Sequence, residues 1–114
     1  MSTKEWPAIL QGVYDRNGAF GEANPAVMKA FGAMDKAAMT PGSLEGKTKE
    51  LLCLAIAIAC RCEGCIAYHA FEAAKKGATR EEVLETIGIA VYMGGGPSVV
   101  YGSCALEAFD SLKK

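Results

Sequence analysis

Apolar residues along this chain recur at helical spacing, and no stretch alternates in the manner of a strand. Trp6 to Asp15 predicts a short first helix with Pro7 in its first turn, broken by Gly18 and Gly21. Asn24-Pro25 predicts the next helix start, with the Asn24 side chain capping free amides and proline at the first helical position. Val27, Met28, Phe31 and Met34 follow at helical spacing, and Thr40-Pro41-Gly42-Ser43 ends the segment. A third helix is predicted from Leu44 or Glu45 to Ala59. Arg61-Cys62-Glu63-Gly64 predicts a break, and a fourth helix runs from about Cys62 to Lys76, stopped by Gly77. Thr79 and Glu82 form a predicted capping box, opening a helix with Val83, Leu84, Ile87, Ala90 and Val91 on its apolar stripe. Gly94-Gly95-Gly96 predicts a flexible joint, and Pro97 starts a last helix carrying Val100, Cys104 and Phe109. The fold class expected is all-α.

The third helix has no polar face from Leu51 onward and must be covered on every side. That favours a homo-oligomer, because a small domain has difficulty burying such a helix alone; the competing reading is a central helix buried within one subunit. The chain has 114 residues, 51% hydrophobic and 22% charged, which predicts one folded domain spanning 1–114. A net charge of -1 without any basic block removes the electrostatic case for nucleic acid. Leu51 to Cys60 is the most apolar run and is far short of the ~20 residues of a membrane span. The first residues carry no signal-like apolar region, so a soluble cytoplasmic protein is expected. The cysteine count is five, so a complete intrachain disulfide framework is excluded. In a reducing compartment clustered cysteines point to metal or redox chemistry.

The chemistry concentrates in Cys62-Glu63-Gly64-Cys65-Ile66-Ala67-Tyr68-His69. Two cysteines separated by two residues can close a small disulfide, and on a helix they share a face with His69, four residues after Cys65. An imidazole there can take the proton from a thiol whose ordinary pKa is ~8.5. The spacing to His69 favours Cys65 as the activated thiol, and a helix N-terminus near Cys62 favours Cys62. On one unbroken helix Glu50 would lie ~18 Å from Cys62. If the chain reverses near Arg61, the helices run antiparallel, Cys53 comes opposite His69, and Glu50 one turn further on can reach and orient the imidazole. The same residues also resemble zinc ligands, with Cys60 or Glu50 as a fourth. Against zinc, Cys62, Cys65 and His69 on one helix spread over ~10 Å, so no metal is expected. Cys53 and Cys104 read as small buried core residues, Tyr68 as packing, and Met28, Met34, Met39 and Met93 as core filler.

Glu50, eleven residues, Cys62-x-x-Cys65, three residues and His69 resemble the signature of the AhpD-like alkylhydroperoxidases of the carboxymuconolactone decarboxylase superfamily. Lys49-Glu50-Leu51, Ala73-Ala74 and Lys76-Gly77-Ala78-Thr79 fit the same pattern, and the resemblance covers about Glu45 to Tyr101. It implies a helical domain of about six helices, with a central antiparallel pair carrying the cysteine motif, assembled as a homotrimer or homohexamer. It implies reduction of a small hydroperoxide by Cys62 and Cys65, without cofactor, and resetting by a dithiol or thiol-protein reductant. Glu50 and His69 would form a proton relay, Cys65 would be the thiol it activates, and Cys62 the partner that closes the disulfide. A disulfide reductase or adaptor serving a separate peroxidase, or a non-catalytic metal-binding or structural oligomer, are the alternatives. The sequence departs from AhpD at Gly64, where AhpD has a histidine, so one relay or hydrogen-bonding group is missing.

Overall fold

The computed structural model describes residues 4–113. Six α-helices follow one another: α1 Trp6–Ala23, α2 Pro25–Met39, α3 Gly46–Ala59, α4 Glu63–Lys75, α5 Arg80–Gly94 and α6 Gly96–Leu112. No strand occurs among the described residues. None of the helices is long and apolar enough to cross a membrane.

The body of the molecule is the α3–α4 hairpin packed against α5 and α6. Its core is rich in alanine: Ala57 from α3, Ala67, Ala70 and Ala73 from α4, Ala105 and Ala108 from α6. Short side chains let these helices approach closely, and Leu54, Ile58, Ile66, Val83 and Phe109 fill the space between them. Trp6 and Leu10 bring the start of α1 into this core, and the Trp6 indole donates to Glu107 Oε1 at 2.7 Å. The predicted capping box is formed: the Glu82 amide donates to Thr79 Oγ1 at 3.1 Å, and the Thr79 amide to Glu82 Oε1 at 2.8 Å.

Three local expectations differ from what the fold does. First, α1 does not stop at Gly18 or Gly21 but runs on to Ala23. Glycine costs a helix only about 1 kcal/mol, and Gly21 has a packing role: a Cβ there would stand 3.3 Å from Met28 Cγ of α2. Second, Asn24 does occupy the N-cap of α2, but its side chain makes no capping bond. Only Pro25 at the first position marks that start. Third, the apolar stripe of α2 is not core. No residue of α2 is buried, and Val27, Phe31 and Met34 are exposed. Met93 is exposed as well.

The turn between α3 and α4 is what brings the chemistry together. Arg61 adopts a left-handed conformation (φ 56°). Its amide donates to the Ile58 carbonyl, and the Cys62 amide to the Ala57 carbonyl. These two bonds make a Schellman closure, a motif that usually places glycine where Arg61 stands. Cys62 thus terminates α3 through its amide and caps α4 through its sulfur, which accepts from the Cys65 amide at 3.2 Å. The same closure recurs at Gly77 (φ 87°), with Gly77 donating to Ala74 and Ala78 to Ala73.

Candidate active site

The antiparallel hairpin sets Glu50, early in α3, beside the middle of α4. Glu50 is only 3% exposed, among the few polar side chains inside the molecule. Its Oε1 lies 2.7 Å from His69 Nδ1, and its Oε2 accepts from Lys76 Nζ at 2.9 Å. Lys76 also donates to Glu72 at 3.2 Å. Both oxygens of a buried carboxylate are therefore partnered, as burial of a charge requires. Burial by itself would raise the Glu50 carboxyl, but the bonds to His69 and Lys76 outweigh it and hold the group below the ordinary carboxylate range. Burial also works against the Lys76 ammonium, and the bonds to Glu50 and Glu72 overcome it, so its pKa is raised.

His69 is therefore fixed at one nitrogen, leaving Nε2 as the ring atom not engaged by Glu50. Tyr68 packs edge-on against the imidazole, with ring centroids 4.9 Å apart, and Tyr14 of α1 packs edge-on against Tyr68. Aromatic contact adds a second restraint on the ring.

Cys62 and Cys65 are joined in a disulfide, with Cα atoms 5.2 Å apart. They occupy the N-cap and the third position of α4, where amides are unsatisfied and negative charge is favoured. A cavity of about 200 Å³ opens beside them, lined by Cys53, Ile56, Ala57, Cys60, Cys62, Cys65 and His69. The four residues singled out from sequence are thus brought together, with His69 and both cysteines on the cavity wall and Glu50 behind the histidine.

Lys76 was not anticipated, and Cys53, expected opposite His69, differs in its burial. Lys76 holds the second oxygen of Glu50. Its signal was available, since it follows His69 by seven residues and so shares its helix face. Cys53 was expected as buried core, yet it is half-buried on the cavity wall, with Sγ 3.7 Å from Met39 Sδ. Burial, then the charges of Glu50 and Asp35, push its thiol up. Ligand atoms of Glu50, Cys53 and His69 all lie within 4.8 Å of one another, a set that could hold a metal ion. Cys104 is half-buried and lies away from this group, in a cavity with Trp6, Val100 and Tyr101. Gly64 has a structural reason: a Cβ there would come within 3.0 Å of Val13 Cγ2 in α1. A side chain at that position would require Val13 to give by a few tenths of an ångström.

The hairpin thus carries a disulfide at its turn and a buried carboxylate–imidazole pair further along. Residues 25–108 match the carboxymuconolactone decarboxylase family, and the chain belongs to it. It is similar to an uncharacterised protein of Cupriavidus necator, at 44% identity over 95 residues, covering 83% of this chain and 84% of that one. Among solved structures it is similar to a carboxymuconolactone decarboxylase family protein from Legionella pneumophila, with a TM-score of 0.93 and 44% identity, covering 96% of this chain and 97% of that one. A family member from Thermotoga maritima, described with a suggested part in antioxidative response, matches with a TM-score of 0.72 and 33% identity, covering 84% of this chain and 87% of that one.

Proposed function

We propose that the chain is a cysteine-dependent peroxidase of the AhpD-like kind, which reduces hydroperoxides through Cys62 and Cys65. The observation that carries this is the meeting of that pair with a histidine held at one nitrogen by a buried carboxylate, all around one cavity. Starting from the dithiol, His69 takes the Cys65 proton, and the thiolate attacks a peroxide oxygen. The O–O bond breaks, an alcohol leaves with a proton returned from His69, and Cys65 becomes a sulfenic acid. The Cys62 thiol then displaces water from that sulfur and closes the disulfide. A dithiol reductant or thiol protein resets the pair by exchange through a mixed disulfide. Glu50 orients the imidazole and stabilises its protonated form, as a carboxylate does for other catalytic histidines. No metal or cofactor takes part in these steps.

Exposure of Cys65 favours a second reading, a disulfide reductase or adaptor for a separate peroxidase, since a bulky disulfide partner can reach that residue. The chain works as a homo-oligomer in either case, a trimer or hexamer, located in the cytoplasm. The support is apolar surface left uncovered in one chain: Ile56 of α3 is 62% exposed, Tyr92 of α5 86%, and Val100 of α6 61%.

The test is a thiol map. Fully reduced protein receives one equivalent of a hydroperoxide, is quenched quickly and is digested for mass spectrometry. A rapid Cys62–Cys65 linkage with Cys53 and Cys104 still free is the expected result. If every thiol stays reduced, the peroxidase reading fails. Rapid exchange with a lipoyl or protein disulfide under the same conditions would then favour the adaptor.

A further inference from the structure

Cys53 of α3 has two soft or borderline donors for neighbours. Its Sγ lies 3.7 Å from Met39 Sδ at the end of α2. The same sulfur is within 4.8 Å of a ring nitrogen of His69. Neither Cys53 nor Met39 has a part in peroxide reduction as derived above.

We propose that the chain, with its Cys62–Cys65 disulfide closed, binds one monovalent copper ion through Cys53 Sγ, Met39 Sδ and a ring nitrogen of His69. Cys62 and Cys65 are not ligands, so the site does not depend on the peroxidase reading.

The donor set selects the ion. Thiolate and thioether sulfurs are soft ligands, and monovalent copper is the soft ion they favour. Imidazole suits copper as well. A hard divalent ion would need oxygen, and the carboxylate of the group is Glu50. Both of its oxygens are committed, Oε1 to His69 and Oε2 to Lys76. Two sulfurs and one nitrogen therefore remain to bind a metal without breaking that pairing.

The spacing suits a shared ion. Two metal–sulfur bonds of ~2.3 Å, meeting at ~110°, hold their sulfurs ~3.8 Å apart. The Cys53 and Met39 sulfurs stand 3.7 Å apart. Bonds of ~2.3 Å to sulfur and ~2.0 Å to nitrogen, at ~120°, hold those atoms ~3.7 Å apart. Cys53 and His69, within 4.8 Å, reach that separation by a shift of about 1 Å at most.

Three helices supply the donors, and two of the donors are held from behind. Lys49 of α3 donates to the carbonyls of Ala38 and Thr40, at 2.8 Å each. The chain on both sides of Met39 is thereby tied to the helix that carries Cys53. Glu50 holds His69 Nδ1 at 2.7 Å and leaves Nε2 as the nitrogen free to bind. A carboxylate behind the ring is the usual support of a metal-bound histidine.

Charge points the same way. Cys53 is half-buried, and Glu50 and Asp35 bring negative charge toward it, with Lys76 opposing them. A bare thiolate is disfavoured in such a place. Monovalent copper exchanges for the thiol proton, which goes to solvent, so the charge of the group does not change. Copper enters and stays in the monovalent state, and no electron is transferred.

The experiment uses the full chain with the Cys62–Cys65 disulfide closed and with Cys53, Cys60 and Cys104 counted as free thiols. Monovalent copper is titrated in the absence of oxygen against bicinchoninate, a chromophoric chelator of that ion. One ion per chain is expected, and copper K-edge absorption should show two sulfur neighbours and one nitrogen. Cys53→Ser should abolish binding. Met39→Leu nearly conserves side-chain volume; it should remove one sulfur neighbour and weaken binding about tenfold or more, and Glu50→Gln should weaken it about 10- to 100-fold by freeing the imidazole. Cys60→Ser and Cys104→Ser should bind as the unmodified chain does. The proposal is overturned if no stoichiometric copper is held, if Cys53→Ser or Met39→Leu binds it unchanged, or if Cys60→Ser loses it. Loss of the ion in Glu50→Gln with full binding in Met39→Leu would assign it to Glu50, Cys53 and His69, and would equally overturn the thioether site.

Discussion

The α3–α4 hairpin and the α2 helix handle polarity in opposite ways. In the hairpin a charged residue is inside, and every oxygen of it is partnered: Glu50 is 3% exposed and bonded to His69 and Lys76. In α2 apolar residues are outside and lack cover: Phe31 is 59% exposed, and no residue of the helix is buried. The polar contacts of the first region are complete within one chain, although Ile56 of α3 is itself exposed. The second is complete only if another surface covers it, since large exposed apolar patches mark interaction sites. The polar chemistry is therefore built inside the chain, while α2 leaves apolar surface open.

The comparison would break most completely if the hairpin were not self-sufficient in its chemistry. Cys62→Ser and Cys65→Ser should each abolish peroxide turnover in a coupled assay. In Cys62→Ser a dimedone adduct should accumulate on Cys65, and its absence there with labelling of Cys62 in the converse variant would reverse the order of attack. His69→Ala should slow the reaction by about 10²- to 10⁴-fold, the usual worth of a general acid–base. Stopped-flow consumption of peroxide measures it, and an unchanged rate would remove the relay.

Matched truncations sharpen the contrast between the regions. Leu54 is fully buried, and Leu54→Ala should cost about 2–5 kcal/mol in denaturant unfolding. Phe31→Ser, on the uncovered face of α2, should change the chain's own stability by no more than about 0.5 kcal/mol. Its effect should appear instead in sedimentation, as a lower mass or a weaker association. A large loss of stability without a change in mass would mean that α2 belongs to the protomer's core.

A smaller effect tests the buried carboxylate. Glu50→Gln should destabilise the chain by about 1–3 kcal/mol through loss of charge-assisted bonds. Its sign with pH follows from the lowered folded pKa of Glu50. The contribution is fully present above the unfolded carboxyl value of about 4.3 and is lost as pH falls through the folded value. The stability difference between the two proteins should therefore be flat above about pH 5 and shrink in acid. The smallest effect concerns the turn. Arg61→Gly relieves a left-handed conformation that costs a side chain roughly 1–2 kcal/mol, partly offset by greater freedom of the unfolded chain. A net gain below about 1 kcal/mol in thermal unfolding is expected.

Much of this architecture was legible because helix signals are local. Thr79 and Glu82 announce a capping box that forms as written, and Gly77 marks the stop of α4 because only glycine takes its φ cheaply. Local signals failed where packing overrode them. Gly18 and Gly21 read as breakers, yet α1 continues through them, and Gly21 is instead a place where α2 approaches. The α2 stripe of Val27, Phe31 and Met34 has the period of a core face, but period does not say which surface will cover it. For the site, the spacing of Glu50, Cys62, Cys65 and His69 was enough to place them on one hairpin once a reversal near Arg61 was assumed.

The sequence by itself determined the helices, the dithiol and its histidine, because capping, glycine conformation and i,i+4 adjacency act over a few residues. Only the tertiary structure decided which groups face them. Lys76 on Glu50 and the half-buried place of Cys53 on the cavity wall depend on the register of two helices, set by the Schellman turn at Arg61 and by alanine packing along the hairpin. Those are distances across space, and no spacing along one helix contains them.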